Sequence, residues 1–393
     1  MSGLKVVLRK GREQAVLRKH PWVFSGAVSM VEREIEDGET VDVFSSDNRF
    51  LGSGHWQNGS IAVRLLSFEP CEFDQTFWEN KIRNAYNLRL MLALAENTTT
   101  TVFRLIHGEG DGLPGLVVDV YEQNIVIQAH SVGMHMSRNF IADALKVVFA
   151  DRVQTIYYKS ADTLPKLKEE VMDYFILGNQ EEAIVKENGN LFRVNWVKGQ
   201  KTGFFVDQRD NRFLLGNYSK GKKVLNTYCY TGGFSISALK SGAVQVDSVD
   251  SSKIAIELTN RNVELNTIDP LKHRAFAVDT ITYLQQMEEK YDVIVLDPPA
   301  FAKHLNVRHN AVQGYKRLNA LALKKISSPG ILFTFSCSQV VDRQLFEDTI
   351  HAAAIESGRS VRVLHHLSQP ADHPVSIYHP EGEYLKGLVL AVD

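Results

Sequence analysis

Cysteine is scarce in this chain: Cys71, Cys229 and Cys337 are the three in 393 residues, far apart and without a Cys-x-x-Cys pair. That spacing excludes a disulfide framework, a structural zinc site and an iron–sulfur cluster; free thiols and no bound metal are expected. Long apolar runs are missing too. No window approaches the roughly 18 consecutive apolar residues of a membrane helix, and no apolar stretch follows the charges near the N-terminus. Neither a membrane span nor a signal peptide is expected, and the location reads as cytoplasmic. An excess of one charge is also absent, since 44 Lys and Arg face 46 Asp and Glu for a formal net charge of −2. There is no internal repeat and no low-complexity tract.

What is present is apolar residue enough for real cores, 44% of the chain, in about two to three domains of roughly 100 to 200 residues each. The charge is unevenly placed. Lys5, Arg9, Lys10, Arg12, Arg18 and Lys19 precede Trp22 and Phe24, with Glu13 the only acid among them. A short basic run is more often a solvated face than a binding site; the aromatics after it favour nucleic acid.

Up to about Phe73 the chain alternates short apolar runs with turn residues ("KVVLRK", "PWVFSGAV", "ETVDVFSS", "RFLGSGHW", "SIAVRLLSF"), which predicts a small β-barrel over residues 1–74. "DQTFWENKIRNAYNLRLMLALAE" has helical spacing and opens a central α/β unit over 75–185, which holds the glycine-rich "GEGDGLPGL" and a hairpin around "YEQN". Residues 186–393 begin with a hairpin at Asn188-Gly189 and pass, from about Lys222, into alternating strands and amphipathic helices. That alternation predicts a doubly wound, mostly parallel sheet, whose ligands bind beyond the C-terminal ends of its strands.

The strand ends therefore become the candidate site. The first runs into "NTYCYTGGF", where Thr231, Gly232 and Gly233 let the backbone approach a ligand at a helix N-terminus. The second ends in Asp250, suited to two ribose hydroxyls, and the third leads to Asp279, placed for a base edge. Each acid could instead cap its helix, with Ser251 and Thr280 following. Three such features at successive strand ends point to an adenosine-containing ligand. The dinucleotide fingerprint is absent, because Tyr228 and Tyr230 stand where glycines would, so S-adenosylmethionine fits better than NAD.

The fourth strand ends in "VLDPPAF", a carboxylate, Asp297, followed by a stiff proline lip. The fifth, "GILFTFSCSQ", ends at Cys337 between Ser336 and Ser338. Composition alone favours a buried, inert cysteine; position beside Asp297 at a cofactor cleft favours a reactive one. A thiolate added to C6 of a pyrimidine makes C5 nucleophilic toward a methyl group, with a group near N3 stabilising the charge. That thiolate needs a nearby cation or base. Lys316 and Arg317, in the helix between the two strands, are possible sources, although a solvated helix face suits them better. Cys229 and Cys71 are expected not to react.

"RKHPWVFSGAV", "GEGDGLPGL", "KTGFFVDQRDNR", "YTGGFSISAL", "LDPPAF", "GYKRLNALAL", "TFSCS" and "ADHPVSIYHPEGEYLKG" together resemble the ribosomal RNA large subunit methyltransferase I family nearly end to end. The resemblance implies an N-terminal PUA barrel that binds RNA, a small central α/β domain and a C-terminal Rossmann-like class I methyltransferase sheet. It implies 5-methylcytosine formation in 23S ribosomal RNA, with S-adenosylmethionine as cofactor, Cys337 as nucleophile and Asp297 as its partner at the base. Asn226, Tyr228, Thr231, Gly232, Gly233, Asp250 and Asp279 become cofactor contacts by position; Ser251 and Thr280 are placed with them, and Gln208 and Arg209 in "DQR" line the same pocket. The loop Ala300–His304, "AFAKH", varies among related enzymes with different target bases. A guanine-directed relative, an RNA-binding protein with an inactive methyltransferase domain and a nicotinamide oxidoreductase are the rival readings. Base rates allow a C2 homodimer.

Overall fold

The computed structural model describes residues 3–167, 170–302 and 304–393, so that Lys303 of the "AFAKH" loop lies outside it. Two compact units emerge. The first comprises Met1–Ala183, Val194–Phe204 and Ala371–Gly382; the second comprises Ile184–Arg193, Phe205–Pro370 and Glu383–Asp393.

In the first unit a six-stranded sheet runs in the order Trp22–Phe24, Ile61–Ser67, Phe50–Trp56, Thr40–Phe44, Leu4–Leu8, Val28–Val31. Alternation puts Val6, Leu8, Val41, Val43, Val63 and Leu65 inside at 0–2% exposure, as period-two side chains require. A five-stranded sheet follows, ordered Tyr174–Leu177, Thr155–Tyr158, Asn124–Ala129, Leu116–Tyr121, Val102–His107. The helices Gln75–Met91 and Arg138–Phe149 pack Trp78, Ile82, Ile141 and Leu145 onto the same core.

The loop "GEGDG" has a structural explanation in this unit. A Cβ on Gly110 would lie 1.8 Å from the Pro374 carbonyl oxygen, so glycine permits close approach of the "ADHPV" segment. Buried Arg89 then joins three stretches of chain: Nη2 donates to Asp111 Oδ2 and to the Asp372 carbonyl, both at 2.8 Å. Asp372 in turn accepts from the Arg104 backbone N–H at 2.9 Å.

The second unit carries the doubly wound sheet. Its strands are β1 (Lys223–Thr227), β2 (Gln245–Asp250), β3 (His273–Ala277), β4 (Val293–Leu296), β5 (Gly330–Ser336), β6 (Val361–Ser368) and β7 (Lys386–Val392). Its helices are α1 (Arg209–Asn217), α2 (Gly233–Lys240), α3 (Lys253–Leu265), α4 (Thr280–Gln286), α5 (Arg308–Lys325) and α6 (Arg343–Ser357). The strand order is β3-β2-β1-β4-β5-β7-β6. The first five are parallel, and β7 enters antiparallel to both β5 and β6. Val293, Ile294, Val295 and Leu296 are 0–1% exposed, the continuous apolar run of a strand covered on both faces. The order reverses between β1 and β4, the switch point beyond whose strand ends ligands bind in sheets of this kind.

Candidate active site

The turn after β1 is held in a conformation that side chains rarely adopt. Tyr228 and Tyr230 have φ of 54° and 47°, so tyrosines occupy left-handed backbone where the dinucleotide fingerprint would use glycine. Such strain persists only when surroundings over-determine it. Here the Tyr230 N–H donates to Asp250 Oδ2 at 3.0 Å, and the Tyr230 carbonyl accepts from Thr259 Oγ1 at 2.9 Å. Asn262 of α3 donates to the Thr231 carbonyl at 2.9 Å. Gly232, at φ 80°, is the N-cap of α2 without any side-chain cap. The turn's carbonyls are thus engaged by protein, while the uncapped helix end offers N–H groups to an anion.

Asp250 bonds inward through both oxygens, the second accepting from the Ser252 N–H at 2.9 Å. Ser251 is exposed beside it, and Ser252, not the acid, caps α3. Asp279 does cap α4, with Oδ1 accepting from the Thr282 N–H at 2.9 Å, and remains exposed. Thr280 is buried and hydrogen-bonds Tyr228, whose hydroxyl burial pushes up to about 12.

Three expected members are buried. Asn226 is fully buried, and its Nδ2 donates to Ser235 Oγ at 2.8 Å, in a chain that continues to Ser248 and His273. Its Nδ2 is thus engaged by α2. Gln208 and Arg209 are buried at the start of α1, where Gln208 Oε1 accepts from Asn211 Nδ2 at 2.6 Å. Phe205, just before them in the chain, meets the ring of Tyr230 edge-on at 5.1 Å.

Sequence reading missed the support of this turn. Arg212 on α1 donates to Glu187 at 2.7 and 2.6 Å and to the Phe205 carbonyl at 2.9 Å. A Cβ on Gly233 would lie 2.8 Å from Arg212 Cδ. Gly233 is required by this contact as much as by any ligand.

On the other side of β1, β4 and β5 are paired with Leu296 opposite Thr334. Asp297 follows immediately on one strand, and Cys337 three residues on along the other. Both are half-buried, whereas Ser336 and Ser338 are fully buried. Alternation at the strand end thus turns the thiol outward between two inward serines. Ser338 organises the surroundings: its Oγ lies 3.1 Å from the Tyr315 hydroxyl and accepts from the Ala302 N–H at 3.4 Å. The rings of Phe301 and Tyr315 meet at a tilt of 38°, with centroids 4.6 Å apart. "DPPAF", "GYKRLN" and "SCS" are one packed corner.

Lys316 and Arg317 lie on the solvated face of α5. Lys316 pairs with Glu356 at 3.1 Å, and Arg317 is exposed. The lysine at this corner is Lys386 of β7, 3% exposed, whose Nζ donates to the Ser338 carbonyl at 2.7 Å. Its signal in the sequence is a lone lysine heading the apolar strand "KGLVLAV". Burial pulls it down to about 8, against the opposing influence of Cys337. Cys229 is buried against Thr259, and burial pushes its thiol up to about 12, which makes it a poor nucleophile. Cys71 is half-buried in the first unit.

Strand order, glycine turn and strand-end acids together define an S-adenosylmethionine-dependent methyltransferase, and the family model of that description matches residues 170–381. A PUA-like domain model matches residues 6–68. The protein named ribosomal RNA large subunit methyltransferase I in Aeromonas hydrophila is 38% identical, with 98% of each chain covered. Proteins of that name in Escherichia coli O139:H28 and Pseudoalteromonas atlantica are 38% and 39% identical, with 99% of each chain covered. The chain belongs to the ribosomal RNA large subunit methyltransferase I family. In fold it also matches an S-adenosylmethionine-dependent methyltransferase structure from Streptococcus mutans, at a TM-score of 0.85 and 23% identity over 99% of this chain and 100% of that one. A further methyltransferase structure, complexed with SAH, gives the same score and identity over 100% of both chains.

Proposed function

We propose that the chain methylates C5 of a cytosine in 23S ribosomal RNA through a transient covalent bond to Cys337. The observation that carries this is the half-exposed thiol between two buried serines, on the strand beside the one that ends in Asp297. A methyltransferase acting on an exocyclic or ring nitrogen needs no thiol there.

The chemistry follows from the base. C5 of cytosine is a weak nucleophile. Addition of the Cys337 thiolate to C6 breaks the C5–C6 π bond and moves its electrons toward N3 and C5. Asp297 holds a proton at N3 as that density arrives. Bound S-adenosylmethionine supplies the electrophilic methyl group. Loss of the C5 proton to a base then re-forms the double bond and expels Cys337 with the electron pair of its C–S bond. In this proposal Tyr228, Thr231, Gly232, Gly233, Asp250, Ser251, Asp279 and Thr280 bound the cofactor, with Gln208, Arg209 and Asn226 behind them. Bisulfite mapping of unmodified 23S ribosomal RNA, after incubation with protein and S-adenosylmethionine, should reveal one new protected cytosine. A transcript with methyl groups but no protected cytosine would exclude the C5 reading.

Gly232 gives a test of the cofactor turn. Its φ of 80° and a Cβ position 2.7 Å from Thr259 Cγ2 leave no room for a side chain. The left-handed conformation alone costs a non-glycine residue about 1–2 kcal/mol. Gly232→Ala is expected to weaken S-adenosylmethionine binding about tenfold by calorimetry; unchanged affinity would remove the turn from the cofactor site.

The RNA-binding reading of the barrel rests on an exposed face. Arg9, Lys10, Arg12, Arg18 and Lys19 are solvent-exposed, and Phe24 beside them is 45% exposed. Trp22 is committed inward, its Nε1 donating to Glu109 at 2.9 Å. Combining Lys10→Ala, Arg12→Ala and Arg18→Ala should reduce affinity for a 23S fragment and flatten the slope of log affinity against log salt by about 2, at roughly 0.7–0.9 per phosphate contact. An unchanged slope would assign the face to solvent.

A further inference from the structure

The corner around Cys337 contains a charge whose purpose the fold does not explain. Lys386 sits opposite Ser336 on β5 and opposite Ser368 on β6. Its backbone is thus tied to the residue before Cys337, and its Nζ to the carbonyl of the residue after it, at 2.7 Å. The lysine is tied to the residues on either side of Cys337. An ammonium at 3% exposure is costly unless its charge is compensated or used.

The charged groups acting on Lys386 are Cys337, Glu383 and Asp342, which favour the cation, and Arg343, which opposes it. Both acids have other partners. Glu383 pairs with Arg343 at 2.5 Å, and Asp342 caps α6 by accepting from the Leu345 N–H at 2.8 Å. Of these described groups, the thiolate of Cys337 is the anion whose influence on Lys386 is largest. On α5, Lys316 and Lys324 both turn to Glu356, at 3.1 and 3.7 Å.

We propose that Lys386 is the positioning residue that holds Cys337 as a thiolate, a role that rests on Cys337 being the nucleophile. The thiol proton passes from Sγ to the neutral Nζ, which gives a thiolate and an ammonium with no change in total charge. When the C–S bond later breaks, its electron pair returns to Sγ beside that same ammonium, so the cation assists departure as well as attack. A lysine suits this because its pKa moves readily on burial, toward that of a thiol near 8.5.

The test is the pH profile of Cys337 alkylation by iodoacetamide, followed by mass spectrometry of the peptide that contains residue 337, in the full chain. The wild-type profile should inflect below about 8.5, the free-cysteine value. Lys386→Met should raise the inflection by about one unit or more and slow alkylation at pH 7 about tenfold, and Lys386→Arg should restore most of the rate. Coincident profiles for wild type and Lys386→Met overturn the proposal. If Lys386→Met does not fold, as judged by loss of S-adenosylmethionine binding, the wild-type profile decides, and an inflection at or above about 8.5 overturns it. Failure of the nucleophile reading shows separately, as methylation by Cys337→Ala.

Discussion

Cys337→Ala is expected to lower 5-methylcytosine formation by at least about 10³-fold, the scale on which removing a covalent nucleophile acts, while S-adenosylmethionine binds as in wild type. The separation follows from the geometry. Ser336 and Ser338 are buried and bonded within the corner, through the Ser338 N–H to Ser336 Oγ at 3.3 Å and Ser338 Oγ to Tyr315 at 3.1 Å. Cys337 points outward between them, so loss of its sulfur leaves that framework in place. The cofactor turn lies two strands away, after β1. Tritiated methyl transfer to unmodified 23S ribosomal RNA measures the first quantity and calorimetry the second. A mutant that transfers methyl at the wild-type rate would refute the covalent mechanism and make guanine or a cytosine nitrogen the better target.

Arg212→Ala should produce the largest loss of stability. Arg212 and Glu187 are 5% and 3% exposed at the side chain and share two short hydrogen bonds. Removing the cation leaves a buried carboxylate without compensation, a change that costs about 3–5 kcal/mol, and it also withdraws the contact beneath Gly233. Urea denaturation should show this loss with reduced cofactor affinity. The double change Arg212→Met with Glu187→Met should recover most of the stability, because a well-packed apolar pair replaces a buried ion pair at little cost. A single mutant within about 1 kcal/mol of wild type would mean that water reaches Glu187.

The strands and helices of the second unit were legible because their signals are local: apolar runs of strand length, amphipathic repeats, and turn residues between them. The hairpin at Asn188-Gly189 is of this kind, with φ of 50° and 78°, as an Asn-Gly turn requires. The strand-end rule likewise brought Asp250, Asp279, Asp297 and Cys337 to one edge of the sheet. What stayed hidden depends on partners far along the chain. Asn226 was placed on the right strand, but the face its side chain takes is set by packing onto Ser235. Lys386 reads as an ordinary strand residue until β7 is known to lie beside β5, and its hydrogen-bond partner is 48 residues away. The glycines of "GEGDG" read only as a glycine-rich loop, whereas Gly110 answers to Pro374, more than 250 residues downstream in the sequence.

The place of β7 bears on the order in which the enzyme becomes complete. This strand comes after every other strand of its sheet in the chain, yet it lies between β5 and β6. Before it, residues Ala371–Gly382 belong to the other unit. During synthesis β5 and Cys337 therefore emerge well ahead of the strand that brings Lys386. On the proposal for Lys386, a nascent chain at that stage carries the thiol without its cation, and alkylation of residue 337 at pH 7 should quicken about tenfold when β7 docks. If Lys386 holds the thiolate, the last insertion into the sheet is also the step that arms the enzyme.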